Sequence, residues 1–231
     1  LADYPTAGNV QCVIRTGSPA RSNYTAEILF IPPEWIAENA RDLLEQNPSG
    51  TGENDYAFLR ITGNIKPEIP LPEQFPFLPI DDQSEQNIGE SVLLAGYPAG
   101  FLGTFSIETN LYAVSSFTTI GGIYTFGTNT PDLVSVGGSP VAQKGSSGGA
   151  VIETATGKLI SLVVTSTEAE TTGARDLRAI TLAHINRSLS QSQGLTIGKL
   201  LEGDVAQTAQ NFRIAVAPTL TKTLISVLQN R

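Results

Sequence analysis

Short β-prone runs separated by turn residues recur from residue 10 to residue 181, and this spacing constrains the fold more than any other feature of the chain. Runs of this length, rich in Val, Ile, Thr, Phe and Tyr, predict an all-β barrel or sandwich. The expected strands cover residues 10–16, 25–31, 56–61, 91–97, 109–120, 124–129, 150–154, 158–165 and 178–181. Three helices interrupt them. Pro33 opens the first at a first-turn position, Ile36, Ala40, Leu43 and Leu44 give it one apolar face, and Asn47-Pro48 closes it. The second begins near Leu182, with Leu182, Ile185 and Leu189 at helical spacing; the third begins near Thr219, with Leu220, Leu224, Val227 and Leu228. Pro67, Pro70, Pro72, Pro76 and Pro79 lack the donors a central strand needs, so residues 66–80 read as a stiff extended linker between two lobes.

Composition removes several function classes. With 14 Lys+Arg against 22 Asp+Glu, a formal charge of -8 and a pI near 4.7, the chain has no basic surface for nucleic acid or an anionic membrane. It is 40% apolar and 16% charged, too hydrophobic for disorder, yet no run approaches the roughly 20 apolar residues of a membrane helix. Its one cysteine, Cys12, permits no internal disulfide and is expected as a small core side chain. One His and one Cys cannot build a zinc cluster, and Asp81-Asp82 and Glu168-Ala169-Glu170 read as solvated loop charge; no cofactor or metal is implied. The chain contains no Met and starts at Leu1, which implies that a preceding segment was removed. A signal peptide in that segment would place the protein outside the cytoplasm.

The chemistry concentrates in Lys144-Gly145-Ser146-Ser147-Gly148-Gly149-Ala150, followed by a strand, a Thr156-Gly157 turn and a long apolar strand. A serine with glycines around it can sit on a tight turn with its oxygen exposed and its own N–H free for an oxyanion. The same composition also suits a glycine-rich hairpin loop. Gly145-Ser146-Ser147-Gly148-Gly149 resembles the nucleophile loop of the chymotrypsin/trypsin-like serine proteases. Asn54-Asp55-Tyr56-Ala57-Phe58-Leu59-Arg60 is similar to that family's stretch around the triad aspartate, and residues 91–98 resemble the first strand of its second barrel.

This resemblance spans roughly residues 10–190 and implies two six-stranded antiparallel β-barrels. Residues 1–65 would be the remainder of the first, incomplete at its N-terminus and carrying a helical insertion at 33–47; residues 81–193 would be the second with its closing helix, and 194–231 an extension. The apolar helix of that extension suits packing on the second barrel and self-association equally. By resemblance Ser147 is the nucleophile, the N–H groups of Gly145 and Ser147 form the oxyanion hole, and Asp55 orients the general base. The family's histidine precedes two strands that residues 10–16 and 25–31 already supply, so it is expected before Leu1, on a precursor or an N-terminal fragment. Ser146 stands where enzymes with a zymogen switch carry an Asp, so activation by a new N-terminus is not expected.

For specificity, the resemblance places Val141 six residues before the nucleophile, with Ala142, Lys144, Val164, Thr165, Ser166 and Arg178 around the substrate. Val141 suits a neutral or apolar side chain on the acyl side of the scissile bond; Arg178 in the pocket would favour an acidic one. The implied partner is a peptide or protein substrate. Two rivals remain. One is a protease-like module that binds peptide without cutting. The other is an α/β-hydrolase esterase, since Ser147, Asp176 and His184 stand in that class's chain order. Otherwise His184, the only histidine, reads as a surface or helix-capping side chain.

Overall fold

The computed structural model describes residues 12–45, 50–100, 102–127, 129–167, 169 and 171–229. In chain order the elements are β1 (Cys12–Thr16), β2 (Arg21–Phe30), α1 (Pro33–Asn39), a 3₁₀ helix (Ala40–Leu44), β3 (Phe58–Asn64), β4 (Ser91–Gly96), α2 (Thr104–Thr109) and β5 (Val114–Thr119). There follow β6 (Gly122–Tyr124), β7 (Leu133–Ser135), β8 (Ala150–Glu153), β9 (Leu159–Ser166), β10 (Leu177–Thr181), α3 (Leu182–Gln193), α4 (Ile197–Glu202), α5 (Val205–Asn211), a π-helical turn (Phe212–Val216) and α6 (Ala217–Gln229). The chain forms two compact units. One comprises Leu1–Arg15, Ser22–Pro72 and Gly198–Arg231; the other comprises Thr16–Arg21 and Glu73–Ile197.

The first unit holds a three-stranded sheet in the order β1-β2-β3. Phe30 is buried on it and meets Tyr56 and Phe212, each at 6.3 Å between ring centroids. Phe212 lies in the C-terminal helical stretch, and Arg213 beside it reaches Glu27 of β2 at 3.7 Å. The extension therefore packs on the first unit's sheet. Asp204 starts this stretch by accepting the Gln207 N–H at 2.9 Å, which satisfies one of the donors a helix leaves open at its N-terminus.

The second unit is a seven-stranded antiparallel sheet in the order β5-β4-β8-β9-β10-β7-β6. Its two edge strands, β5 and β6, are joined by Ile120 and Gly121 alone. Laid flat, six strand spacings would separate the edges by about 29 Å, whereas three Cα steps reach at most about 11 Å. The sheet must therefore curl until its edges nearly meet. Val92, Leu94, Ile120, Val134, Val136, Val141, Val151, Ile160, Val163, Leu177 and Ala179 fill the interior. Leu182, Ile185 and Leu189 bury the inner face of α3, which contacts β9 and β10. Thr181 caps its first turn, and Gly194 ends it at φ +66°.

The expected all-β chain with antiparallel sheets and a C-terminal helix is what the sequence adopts; among the described residues its sheets hold three and seven strands. Locally some elements differ. The strand expected over 109–120 begins only at Val114, because residues 104–109 wind into α2. That expected over 124–129 is replaced by β6, which ends at Tyr124: the Phe126 N–H turns away to the Asp132 carboxylate. β7 is three fully buried residues, too short to show a period. Helix formation after residue 33 extends as far as Leu44, and Asn47-Pro48 lie outside the described residues.

Candidate active site

Ser147 sits at the end of a chain of tight turns in the second unit. Ser139 starts it: its side-chain oxygen accepts the Val141 N–H at 3.1 Å and its carbonyl the Ala142 N–H at 2.9 Å. The Ser146 N–H donates to the Gln143 carbonyl at 3.2 Å, and the buried Ser146 hydroxyl donates to the Val141 carbonyl. Beyond Ser147, the Gly148 N–H donates to the Val163 carbonyl at 2.7 Å and the Gly149 carbonyl accepts the Val163 N–H at 2.8 Å, which clamps the loop to β9 before β8 begins.

Glycine is required on both sides of the serine. Gly145 has φ +92° and Gly148 φ +80°, a region that side chains with a Cβ enter only with strain. A Cβ at Gly145 would also lie 2.9 Å from the Ala99 Cβ and 3.1 Å from its backbone nitrogen. Ser147 itself is exposed, with its hydroxyl 3.4 Å from the Val164 carbonyl. Among the described residues, the N–H groups of Gly145 and Ser147 have no acceptor. A surface hydroxyl flanked by two spare backbone donors is equipped to attack a carbonyl and to hold the resulting oxyanion.

The expected substrate-contacting residues fall into three groups. Val141 and Ala142 have no exposed surface and belong to the barrel core, where Val141 contributes roughly 1.5 kcal/mol or more by its burial. That cost opposes any outward turn of the Val141 side chain. Lys144 is exposed, Val164 offers its carbonyl, and Thr165 pairs with Arg178 across β9 and β10. The side chain of Ser166 lies outside the described residues. Arg178 is engaged: its Nε donates to Asp176 Oδ2 at 2.9 Å, and its guanidinium lies 4.6 Å from the centroid of the Tyr124 ring. Asp176 also accepts from the Ser135 hydroxyl.

Sequence reasoning missed Arg175, whose guanidinium donates to the Ala142 carbonyl at 3.1 Å. Nothing in the local pattern distinguishes it from a solvated loop arginine. The segment that carries it also touches the turn before Ser139, because a Cβ added to Gly138 would lie 2.2 Å from the Gly173 carbonyl oxygen.

His184 is neither exposed nor a cap. Its backbone N–H donates to Thr181, while the buried imidazole places Nδ1 3.2 Å from Asp132 Oδ1 and meets the Phe126 ring at 4.9 Å. Asp132, itself buried, also accepts the Phe126 N–H at 2.8 Å, the Thr130 hydroxyl at 2.9 Å and the Arg187 guanidinium. Burial pushes its pKa up, but the hydrogen bonds from Phe126, Thr130, Arg187 and His184 prevail and hold it below the usual carboxylate value. Asp176 is paired with Arg178, so Ser147, Asp176 and His184 do not assemble as a triad. A strand, not a helix, follows Ser147, which also removes the α/β-hydrolase alternative.

Asp55, in the first unit, precedes β3 in a turn where its N–H donates to the Gly52 carbonyl at 3.2 Å. The buried Tyr56 ring, edge-on to Phe58 at 6.0 Å, anchors this turn and leaves Asp55 exposed. Among the described residues its carboxylate has no hydrogen-bond or ionic partner, and partial desolvation by the surrounding chain raises its pKa above the ordinary value.

Residues 3–162 of the 231, more than half of the chain, match the family model of the trypsin-like peptidase domain. The chain belongs to that family. This trypsin-like peptidase domain is similar to a serine endoprotease from Yersinia pestis, at 17% identity and a TM-score of 0.45 over 78% of the chain. It spans about half, 48%, of that protein's length. It is also similar to neuropsin, a serine protease expressed in the limbic system of mouse brain (12% identity, TM-score 0.42, 64% of this chain and 66% of that one). Kallikrein-related peptidase 10 gives 14% identity and a TM-score of 0.41 over 80% of this chain and 79% of its own. No curated protein matches the chain. Among the described residues of this peptidase domain, no helix is long and apolar enough to cross a membrane.

Proposed function

We propose that this trypsin-like peptidase domain is a serine endopeptidase that works through an acyl-enzyme at Ser147. The Ser147 hydroxyl attacks the peptide carbonyl as its proton passes to an imidazole, and the N–H groups of Gly145 and Ser147 hold the oxyanion. The imidazolium then protonates the leaving amine, and water, deprotonated by the same base, releases the acyl group. Asp55 has the role of orienting that imidazole. His184 is committed to Asp132, so the base comes from a histidine outside these 231 residues, on a precursor or an N-terminal fragment.

The observation that carries this proposal is the exposed hydroxyl between glycines of positive φ, beside two N–H groups without an acceptor among the described residues. Each such donor is worth about a hundredfold or more in rate when it meets the developing oxyanion. A hydroxyl without a base is a poor nucleophile, and this favours a second reading in which the domain binds peptide without cutting it.

A fluorophosphonate separates the two. The chain together with the polypeptide that supplies the histidine should be labelled at Ser147, identified by mass spectrometry of the modified peptide, and Ser147→Ala should abolish the label. A protein that has the histidine, is folded, and still resists the reagent is the binding module.

A further inference from the structure

We infer that Arg175 gives this site a preference for peptides with an acidic side chain on the acyl side of the scissile bond. The inference rests on Ser147 being the residue that is acylated. The acyl-side residue is bonded directly to the attacked carbonyl, so its side chain must lie within a few ångströms of the Ser147 hydroxyl. Two segments border that hydroxyl in the second unit: the turns 139–146 that lead to it, and β9, whose Val164 carbonyl lies 3.4 Å away. Arg175 is connected to both borders. Its guanidinium is bonded to the Ala142 carbonyl, and its main chain runs two residues later into Leu177, which pairs with Ser166 at the end of β9.

Arg175 is half-buried, and its hydrogen-bond partner among the described residues is a neutral carbonyl, which leaves most of its five donors unused. Among the described residues neither it nor the exposed Lys144 is paired with a carboxylate. The carboxylate next in sequence, Asp176, is occupied by Arg178 and Ser135. Among the described residues this leaves Lys144 and Arg175 without a carboxylate partner. A planar guanidinium with spare donors selects a carboxylate over its amide.

Binding of product peptides tests this without requiring the general base. Acetyl-Ala-Ala-Pro-X acids, with X as Glu, Gln, Lys or Leu, compete for the wild-type chain against a fluorescein-labelled Glu peptide. The Glu peptide should bind about tenfold tighter than the Gln peptide, and the ratio should shrink as salt is raised. Arg175→Gln should bring the ratio close to one, while Arg175→Lys should keep part of it. Equal affinity for Glu and Gln in the wild type, a preference for Lys or Leu, no binding of any peptide, or a ratio that persists in Arg175→Gln each overturns the inference. If Arg175→Gln does not fold, the wild-type ratio and its salt dependence still decide. Glu preference without fluorophosphonate labelling would leave Arg175 standing and sink the endopeptidase; labelling without Glu preference would do the reverse.

Discussion

Two polar clusters lie in the second unit, and they are built on opposite terms. Around Asp132 everything is satisfied: the carboxylate is buried and accepts from Phe126, Thr130, His184 and Arg187. Around Ser147 the capacity is left open, with an exposed hydroxyl and two N–H groups that have no acceptor among the described residues. The cluster that contains the histidine is therefore a structural knot, and the one without it is the candidate for chemistry. A titratable side chain marks a reactive site only when its partners leave it something to do.

Breaking the knot should have the largest effect. Asp132→Ala removes the buried carboxylate that accepts from the Phe126 N–H, the Thr130 hydroxyl, the His184 imidazole and the part-exposed Arg187 guanidinium, and urea denaturation should show a loss of about 2 kcal/mol or more. Because the Asp132 pKa is lowered, its contribution is present above the ordinary carboxylate pKa and fades as pH falls through the lowered value. Stability of the variant should therefore differ least from wild type in strong acid.

Gly145→Ala addresses the other cluster. Its φ of +92° and the Ala99 contact force the loop to shift, moving an oxyanion donor; fluorophosphonate labelling at Ser147 should slow by about a hundredfold. An unchanged labelling rate would mean that the donor is not used. Ser146→Ala leaves the Val141 carbonyl without its hydroxyl partner and should cost about 1 kcal/mol in the same denaturation assay.

The smallest effect on stability is expected at Asp55. Partial desolvation has raised its pKa, so the ionised form weighs against the fold above that pKa and not below the ordinary value. Asp55→Asn should raise the thermal midpoint slightly at pH 7 and leave it unchanged near pH 3, while lowering turnover wherever the histidine is supplied.

Much of this was legible in the sequence, for physical reasons that differ by element. β4, β8, β9 and α3 follow from sustained apolar runs or helical spacing bounded by turn and cap residues, as with Thr181 and Gly194 at the ends of α3. The Ser147 loop was legible because positive φ demands glycine, and glycine is conspicuous. β7 was not, since three residues cannot show a period. Asp204 caps α5 by accepting the Gln207 N–H, but α6 packs against α1 and the 3₁₀ helix that follows it, which is a tertiary fact that no local pattern shows. For the same reason the sequence favoured Arg178 near the substrate: only the folded chain reveals that Asp176 and Tyr124 have claimed it, whereas Arg175 donates to a neutral carbonyl and has no carboxylate partner among the described residues.

The close approach of Gly138 to Gly173 bears on how such a domain could be re-engineered. Any methyl group at position 138 would wedge the Arg175-bearing arm away from the turns that present Ser147. A mutational library aimed at new substrate preferences should thus return many tolerated replacements at 175 and almost none at 138.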